Sequence, residues 1–294
     1  MGSDSGLHSW IYVYFLNNTI RGTIMRKSVN LRSVHALDMD TLKEAIPSAF
    51  ATSAWSGMSP KYRHLTTEPI LQALLAEGLG VYAAKQSGTR TEGKEQHTLH
   101  EIRLRVAGVR NHQAPAIVGE CVPEIIVRNS SVGNALTIEA GLYRFVCSNG
   151  LTVSMGSFAY SRRLHTGNVT INHVLESVYG IMANFPHIID TVEKMKSRKL
   201  EIEERAQFAE LALGLRFDID KKPYEASRLL EVRRVTDENV TVFGAFNVIQ
   251  ENLTQGQTSR GRFFRGERGT RRIASIQFDS MVNRGLWQLA QSFV

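Results

Sequence analysis

Between Thr258 and Arg272 the chain reads TSRGRFFRGERGTRR. Arg260, Arg262, Arg265, Arg268, Arg271 and Arg272 set six guanidinium groups against one carboxylate, Glu267. Phe263 and Phe264 stand side by side among them. Guanidinium pairs with phosphate in a fork geometry and stays charged at any physiological pH. Aromatic faces stack on unpaired bases. Glycines within the stretch keep the backbone pliable enough to follow a strand. The chemistry this composition suits is the grip of a polyanion, with phosphates on the arginines and bases on the rings.

The whole chain carries a net charge of +7. Six arginines against one glutamate make the short stretch +5, so the rest is close to balance. Basicity is therefore local, which points to a site more than to a general affinity for anions.

A second basic element lies upstream. His100, Ile102, Leu104 and Val106 alternate with Glu101, Arg103 and Arg105, the period of a half-buried strand. Arg103 and Arg105 are expected on its solvated outer face, where Arg110 and Arg128 would extend the cationic surface. Arg162 and Arg163 form another basic pair.

Other residue types give less. No pair among His97, His100 and His165 has the spacing of a metal motif, and the turn NSSVG suits a hairpin. Cys147 alternates with apolar neighbours and reads as core. Neither GxxxxGK(S/T) nor GxGxxG occurs, so nothing supports ATP-driven chemistry. No catalytic set, metal site or cofactor is predicted. Cys121 and Cys147 lack CxxC spacing and read as reduced thiols of a cytosolic protein. No run of about 18 apolar residues exists, so no membrane span is expected.

The elements that must position these residues follow from periodicity. A short helix is predicted over Asp40–Ala45, before Pro47. A second is capped by Thr67 and buries Ile70, Leu71, Leu74 and Leu75. Residues 82–109, 122–128 and 135–147 read as three strands of an antiparallel meander. Asn168 would cap a helix with Ile171, Val174, Leu175, Val178, Met182 and Phe185 on one face, broken or kinked at Pro186. EKMKSRKLEIEER should continue as a solvated helix face. Val242 to Leu253 form another helix. A short strand is expected at Ile273–Phe278, then a last helix capped by Asp279 with Leu286, Trp287 and Leu289 buried. The fold class is α+β: a three-stranded meander packed against long helices, with a C-terminal helical part. Residues 1–24 read as an extension, 25–220 as the core domain and 221–294 as the helical segment, with the basic loop at 254–272.

Several segments resemble the phage- and plasmid-related family called domain of unknown function 932, of the YafZ, YfjQ and YubP type. They are SPKYRHLTTEPILQALLAEGLGVYAAKQ, VPEIIVRNSSVGNALTIEAGLYRFVCSNGL, LHTGNV, FNVIQENLTQG and NRGLW, and they run in order from about Ala45 to Phe293. The resemblance places His100, Arg103 and Arg105 on a family strand and Asn129, Ser130 and Gly133 in its turn. It also matches Arg144, Cys147, Asn149, Gly150, His165, Gly167, Asn168, Gln250, Glu251 and Asn252. Ser131 and Val132 replace a family His and Asp, which argues against a shared acid–base or metal role for the turn. The resemblance implies a mobile-element origin and little chemistry.

Together these readings predict a DNA-binding protein of a phage or plasmid, acting in single-strand annealing or protection during recombination or replication. The order of helix, meander and long helix is similar to the core of ring-forming annealing proteins. Single-stranded DNA is the favoured partner, held passively by a homo-oligomer in the bacterial cytoplasm. The alternative is an interaction protein that modulates a host defence or replication factor.

Overall fold

The protein is described by a computed structural model covering residues 12–16, 28–107, 121–144, 150–152, 160–163, 165, 169–233, 240–257 and 267–294. The described strands are β1 (Tyr12–Leu16), β2 (Ser28–Leu37), β3 (Leu79–Gln86), β4 (His100–Val106), β5 (Cys121–Asn129), β6 (Leu136–Arg144), β7 (Gly150–Thr152) and β8 (Tyr160–Arg163). The helices are α1 (Met39–Ala45), α2 (Thr67–Ala76), α3 (Ile171–Ala183), α4 (Phe185–Ser197), α5 (Ile202–Gly214), α6 (Val242–Gln255) and α7 (Ile276–Gln291). Strands bond in the order β1-β2-β3-β4-β5-β6-β7, and β8 pairs with β6. The α+β class stands, but the expected three-stranded meander is only part of an eight-stranded sheet.

The chain divides into two compact units, each discontinuous in sequence. The first comprises Met1–Arg110, Glu124–Ile138 and Ser161–Tyr179. Its α1 starts where the Asp38 carboxylate accepts from Thr41 N at 2.7 Å. α2 buries Ile70, Leu71 and Leu74, each worth about 1.5–3 kcal/mol when fully buried. Pro69 sits in its first turn, where a missing N–H costs nothing. Thr66, not Thr67, holds the N-cap position. The Thr67 hydroxyl is engaged elsewhere.

Antiparallel register places Gln86 opposite His100 and His100 opposite Asn129. One residue along, Lys85 faces Glu101 and Glu101 faces Arg128. Side chains alternate across a sheet, so these two rows lie on opposite faces. On the first face Ile102 and Leu104 are buried, as the alternation predicts. The second face is buried as well, so β4 has no solvated outer face.

The second unit comprises Asn111–Pro123, Glu139–Tyr160 and Gly180–Val294. Of the two expected outcomes at Pro186 the break occurs: α3 ends at Ala183, and Phe185, expected on its face, starts α4 with the proline in a first turn, where it is tolerated. The charged segment EKMKSRKLEIEER is interrupted at Arg198–Glu201. There Val242 N donates to Arg198 O and Leu200 N to Val240 O. A capping box of Glu201 and Glu204 then starts α5. Thr241 caps α6 by accepting from Gly244 N at 3.0 Å. The strand expected at Ile273–Phe278 is absent. Ser275 accepts from Phe278 N at 3.3 Å and begins α7, in place of the expected Asp279 cap. Leu286 and Trp287 are fully buried in this unit, with Phe246 edge-on to the indole at 5.8 Å, while Leu289 is half-buried.

Candidate functional site

The basic stretch rises from a pinned stem in the second unit. α6 ends at Gln255 and Gly256 turns the chain with φ +77°, in the left-handed region. Any side chain at Gly256 would place its Cβ 2.4 Å from Thr270 O, so geometry and space both require glycine. Gln257 N then donates to Thr270 Oγ1 at 3.1 Å, and Thr270 N returns a bond to Gln257 O at 2.8 Å. The chain therefore leaves at Gln257 and is back beside it at Thr270. Ile273 N donates to Thr254 O, and Arg268 N to Pro223 O at 2.7 Å. Arg216 adds bonds to Leu253 O and Arg271 O.

Glu267, the one acid of the stretch, belongs to this stem. Its side chain is 8% exposed. One carboxylate oxygen accepts from Arg228 Nη2 at 3.0 Å and the other from Glu225 N at 3.1 Å. Arg268 and Arg271 are exposed and Arg272 is half-buried. Arg260, Arg262, Phe263, Phe264 and Arg265 lie outside the described residues.

Arg103 and Arg105 do not join a solvated cationic surface. They are 2% and 6% exposed. Arg103 donates to Glu101 at 2.9 Å and to Glu124 at 3.0 Å, and Arg105 donates to Glu124 at 2.8 Å. Arg128 meets the other oxygen of Glu101 at 2.6 Å, and Lys85 lies 3.4 Å from Glu101. The Arg105 guanidinium also stacks over Tyr82 at 4.7 Å. Alternation identified the face but not its cover. A buried charge must be paired, and β3 and β5 supply the partners. Burial opposes charge on Glu101, but Lys85, Arg103 and Arg128 outweigh it and hold the carboxyl well below its usual range. Burial likewise opposes charge on Arg103, and attraction from Glu101 and Glu124 prevails, raising its pKa.

The opposite face carries a chain of polar side chains that sequence reasoning missed. His100 is fully buried, with Nδ1 3.0 Å from Ser48 Oγ and Nε2 3.0 Å from Thr67 Oγ1. Asn129 Nδ2 donates to Thr67 Oγ1 at 2.9 Å and to Leu65 O at 2.8 Å. Thr67 Oγ1 thus accepts from Asn129 and also meets His100 Nε2. Gln86 Oε1 accepts from Ser48 N at 2.9 Å. Burial drives the His100 pKa down to about 3, so the ring is neutral.

At the other end Asn129 Oδ1 lies 2.9 Å from His165 Nε2, and His165 Nδ1 lies 3.1 Å from Arg63 O. Both partners are acceptors, a pattern that favours the doubly protonated ring. Burial and the nearby His64 act the other way and lower its pKa. Tyr62 stacks on this ring at 4.7 Å and donates to Ser130 O at 3.0 Å. Ser130 Oγ accepts from Val132 N and Asn134 N, and Gly133 has φ +96°, so NSSVG is the hairpin its composition suggested. The row contains a Ser–His contact without a carboxylate. With Ser48 2% exposed, it ties backbone segments together and offers a substrate no approach in this arrangement.

The remaining candidates separate. Cys121 is buried, and Cys147 and Asn149 lie outside the described residues. Among the described residues no group of His, Cys, Asp or Glu could hold a metal ion. Gln250 donates to Asn283 at 3.0 Å, and Asn252 donates to Leu229 O and Glu231 O. Asn252 thus fixes the chain beside α6. No described helix is long and apolar enough to cross a membrane.

A family model described as a domain of unknown function, DUF932, matches residues 54–284. The chain is 34% identical over 266 residues to the UPF0380 protein YafZ of Escherichia coli strain K12, covering 90% of this chain and 94% of that protein. It is 32% identical over 265 residues to the UPF0380 protein YfjQ of the same strain, with the same coverage. No solved structure matches it. The order of matched segments and the length of these alignments place the chain in the DUF932 family.

Proposed function

We propose that this protein binds nucleic acid through the basic stretch, with single-stranded DNA as the favoured partner. One observation carries the reading. Gln257 and Thr270 are bonded to each other, so most of a dense arginine cluster is carried between two adjoining fixed points. Glu267 is held by Arg228 and Glu225 N, which ties the loop's return to the stem. Arginines would neutralise phosphates while Phe263 and Phe264 stack on bases, without a nucleotide cofactor. In such a passive mechanism several copies along one strand would hold it open for annealing or protect it, in recombination or replication of a mobile element inside the bacterial host cell.

A filter-binding titration with single- and double-stranded oligonucleotides tests the reading. Affinity for the single strand should fall with salt with a log–log slope of about −0.7 per phosphate contacted. Alanine at Arg260, Arg262, Arg265, Arg268, Arg271 and Arg272 should flatten that slope. Unchanged affinity in the alanine variant refutes the loop assignment. A wild-type protein that ignores oligonucleotides at low salt favours the alternative, an interaction protein directed at a host defence or replication factor.

A further inference from the structure

The first unit holds a cationic surface that neither the loop nor the buried charged face accounts for. Lys61, Arg63, Arg162 and Arg163 are all exposed. None of them has a carboxylate partner among the described residues. The reason lies in the sequence. Residues 45–67, 125–138 and 161–175 contain no Asp or Glu.

The fold brings these three acid-free segments to one place. Trp55 N donates to Ser131 O at 3.0 Å, and the Tyr62 hydroxyl donates to Ser130 O. Asn129 donates to Leu65 O. Arg63 N donates to His165 O, and the His165 ring bonds back to Arg63 O. Arg63 and His165 are therefore paired through their backbones, and Arg163 lies two residues away at the end of β8. The Tyr62–His165 stack beneath gives the patch a fixed floor.

We propose that Lys61, Arg63 and Arg163 form a second phosphate-backbone contact, on the first unit and separate in sequence from the arginine loop. The identity of the polyanion as nucleic acid rests on the function proposed above. The patch itself does not. Exposed guanidinium groups with no carboxylate partner among the described residues suit a chain of phosphates.

The test is the double variant Arg63→Gln, Arg163→Gln, with Lys61→Gln, Arg163→Gln as a second pair. Both backbone amides used by Arg63 survive, so unfolding curves should match the wild type. Binding to an oligothymidylate is titrated from 0.05 to 0.3 M salt, roughly the range where counterion release dominates. Two lost phosphate contacts should reduce the slope by about 1.4 and weaken binding about 25-fold at 0.1 M salt. A folded variant with unchanged slope and affinity overturns the proposal. Inorganic polyphosphate, titrated by calorimetry, separates the two ideas. If oligonucleotides fail to bind wild-type protein but polyphosphate binds and is lost in the double variants, the patch stands and the nucleic-acid reading falls. If neither ligand binds, both fall.

Discussion

Replacing Glu124 with glutamine probes the claim that the charged face of β4 is buried. Glu124 is fully buried and bonds Arg103 through one oxygen at 3.0 Å and Arg105 through the other at 2.8 Å. At an effective dielectric near 20, a unit charge pair about 4 Å apart attracts by about 4 kcal/mol. Glutamine removes that attraction from both arginines, yet keeps an oxygen that can accept one of the two bonds. It also relieves the cost of burying the carboxylate. The net expectation is the value for breaking a buried pair on one side, about 3–5 kcal/mol. Guanidinium denaturation of wild type and variant measures it, with the slope checked for constancy. The paired change Arg105→Met, Glu124→Leu should recover part of the loss, since Arg105 no longer lacks a counterion while Arg103 keeps Glu101 alone. A loss below about 1 kcal/mol would match a solvent-exposed pair. That outcome would refute the buried assignment and return Arg103 and Arg105 to the list of polyanion contacts.

Three further outcomes are expected. His100 has a pKa of about 3 in the folded state against 6.5 as an ordinary ring. Above pH 6.5 it is neutral in both states; below, only the unfolded chain takes the proton. Urea-measured stability should fall with decreasing pH by about 1.4 kcal/mol per unit toward pH 3 from this group, and His100→Gln should flatten that dependence. Thr67→Val removes the hydroxyl shared by His100 and Asn129, and should cost about 1–3 kcal/mol by leaving buried donors and acceptors unpaired; thermal melting reads this, and a neutral result would sever the proposed row. Gly256→Ala combines a positive φ with a 2.4 Å clash on Thr270 O, so it should open the stem. Hydrogen exchange at Thr270 N should accelerate, and unaltered protection would show that the stem tolerates a side chain.

Local chemistry made much of this protein legible in one dimension. Periodicity located α2, α3 and α6, and the alternation of His100 to Val106 gave β4 its two faces. What it could not supply was the neighbour on each face. Arg103 and Arg105 look solvent-bound in sequence because arginine usually is. Only the register, which brings Glu101, Arg128 and Glu124 to the same face, shows that they are matched. Thr67 illustrates the same limit. It has the chemistry of a cap, but Thr66 takes that position, and a buried imidazole and amide claim its hydroxyl. Asp279 lost its expected capping role to Ser275, four residues earlier, because the helix began before the apolar period announced it. For the candidate interface, the arginine density was legible directly. The stem was not, since Gln257 and Thr270 carry no sequence mark of their mutual bonds.

Gln257 and Thr270 meet across a closed neck, and the consequence reaches beyond a single binding event. A segment whose two ends are already joined can be exchanged or resized without asking the body of the protein to adjust. Doubling its length would cost only about 0.6 kcal/mol in closure entropy. The segment's length and composition can therefore change while α6 and α7 stay as they stand. The neck makes the arginine cassette a replaceable part.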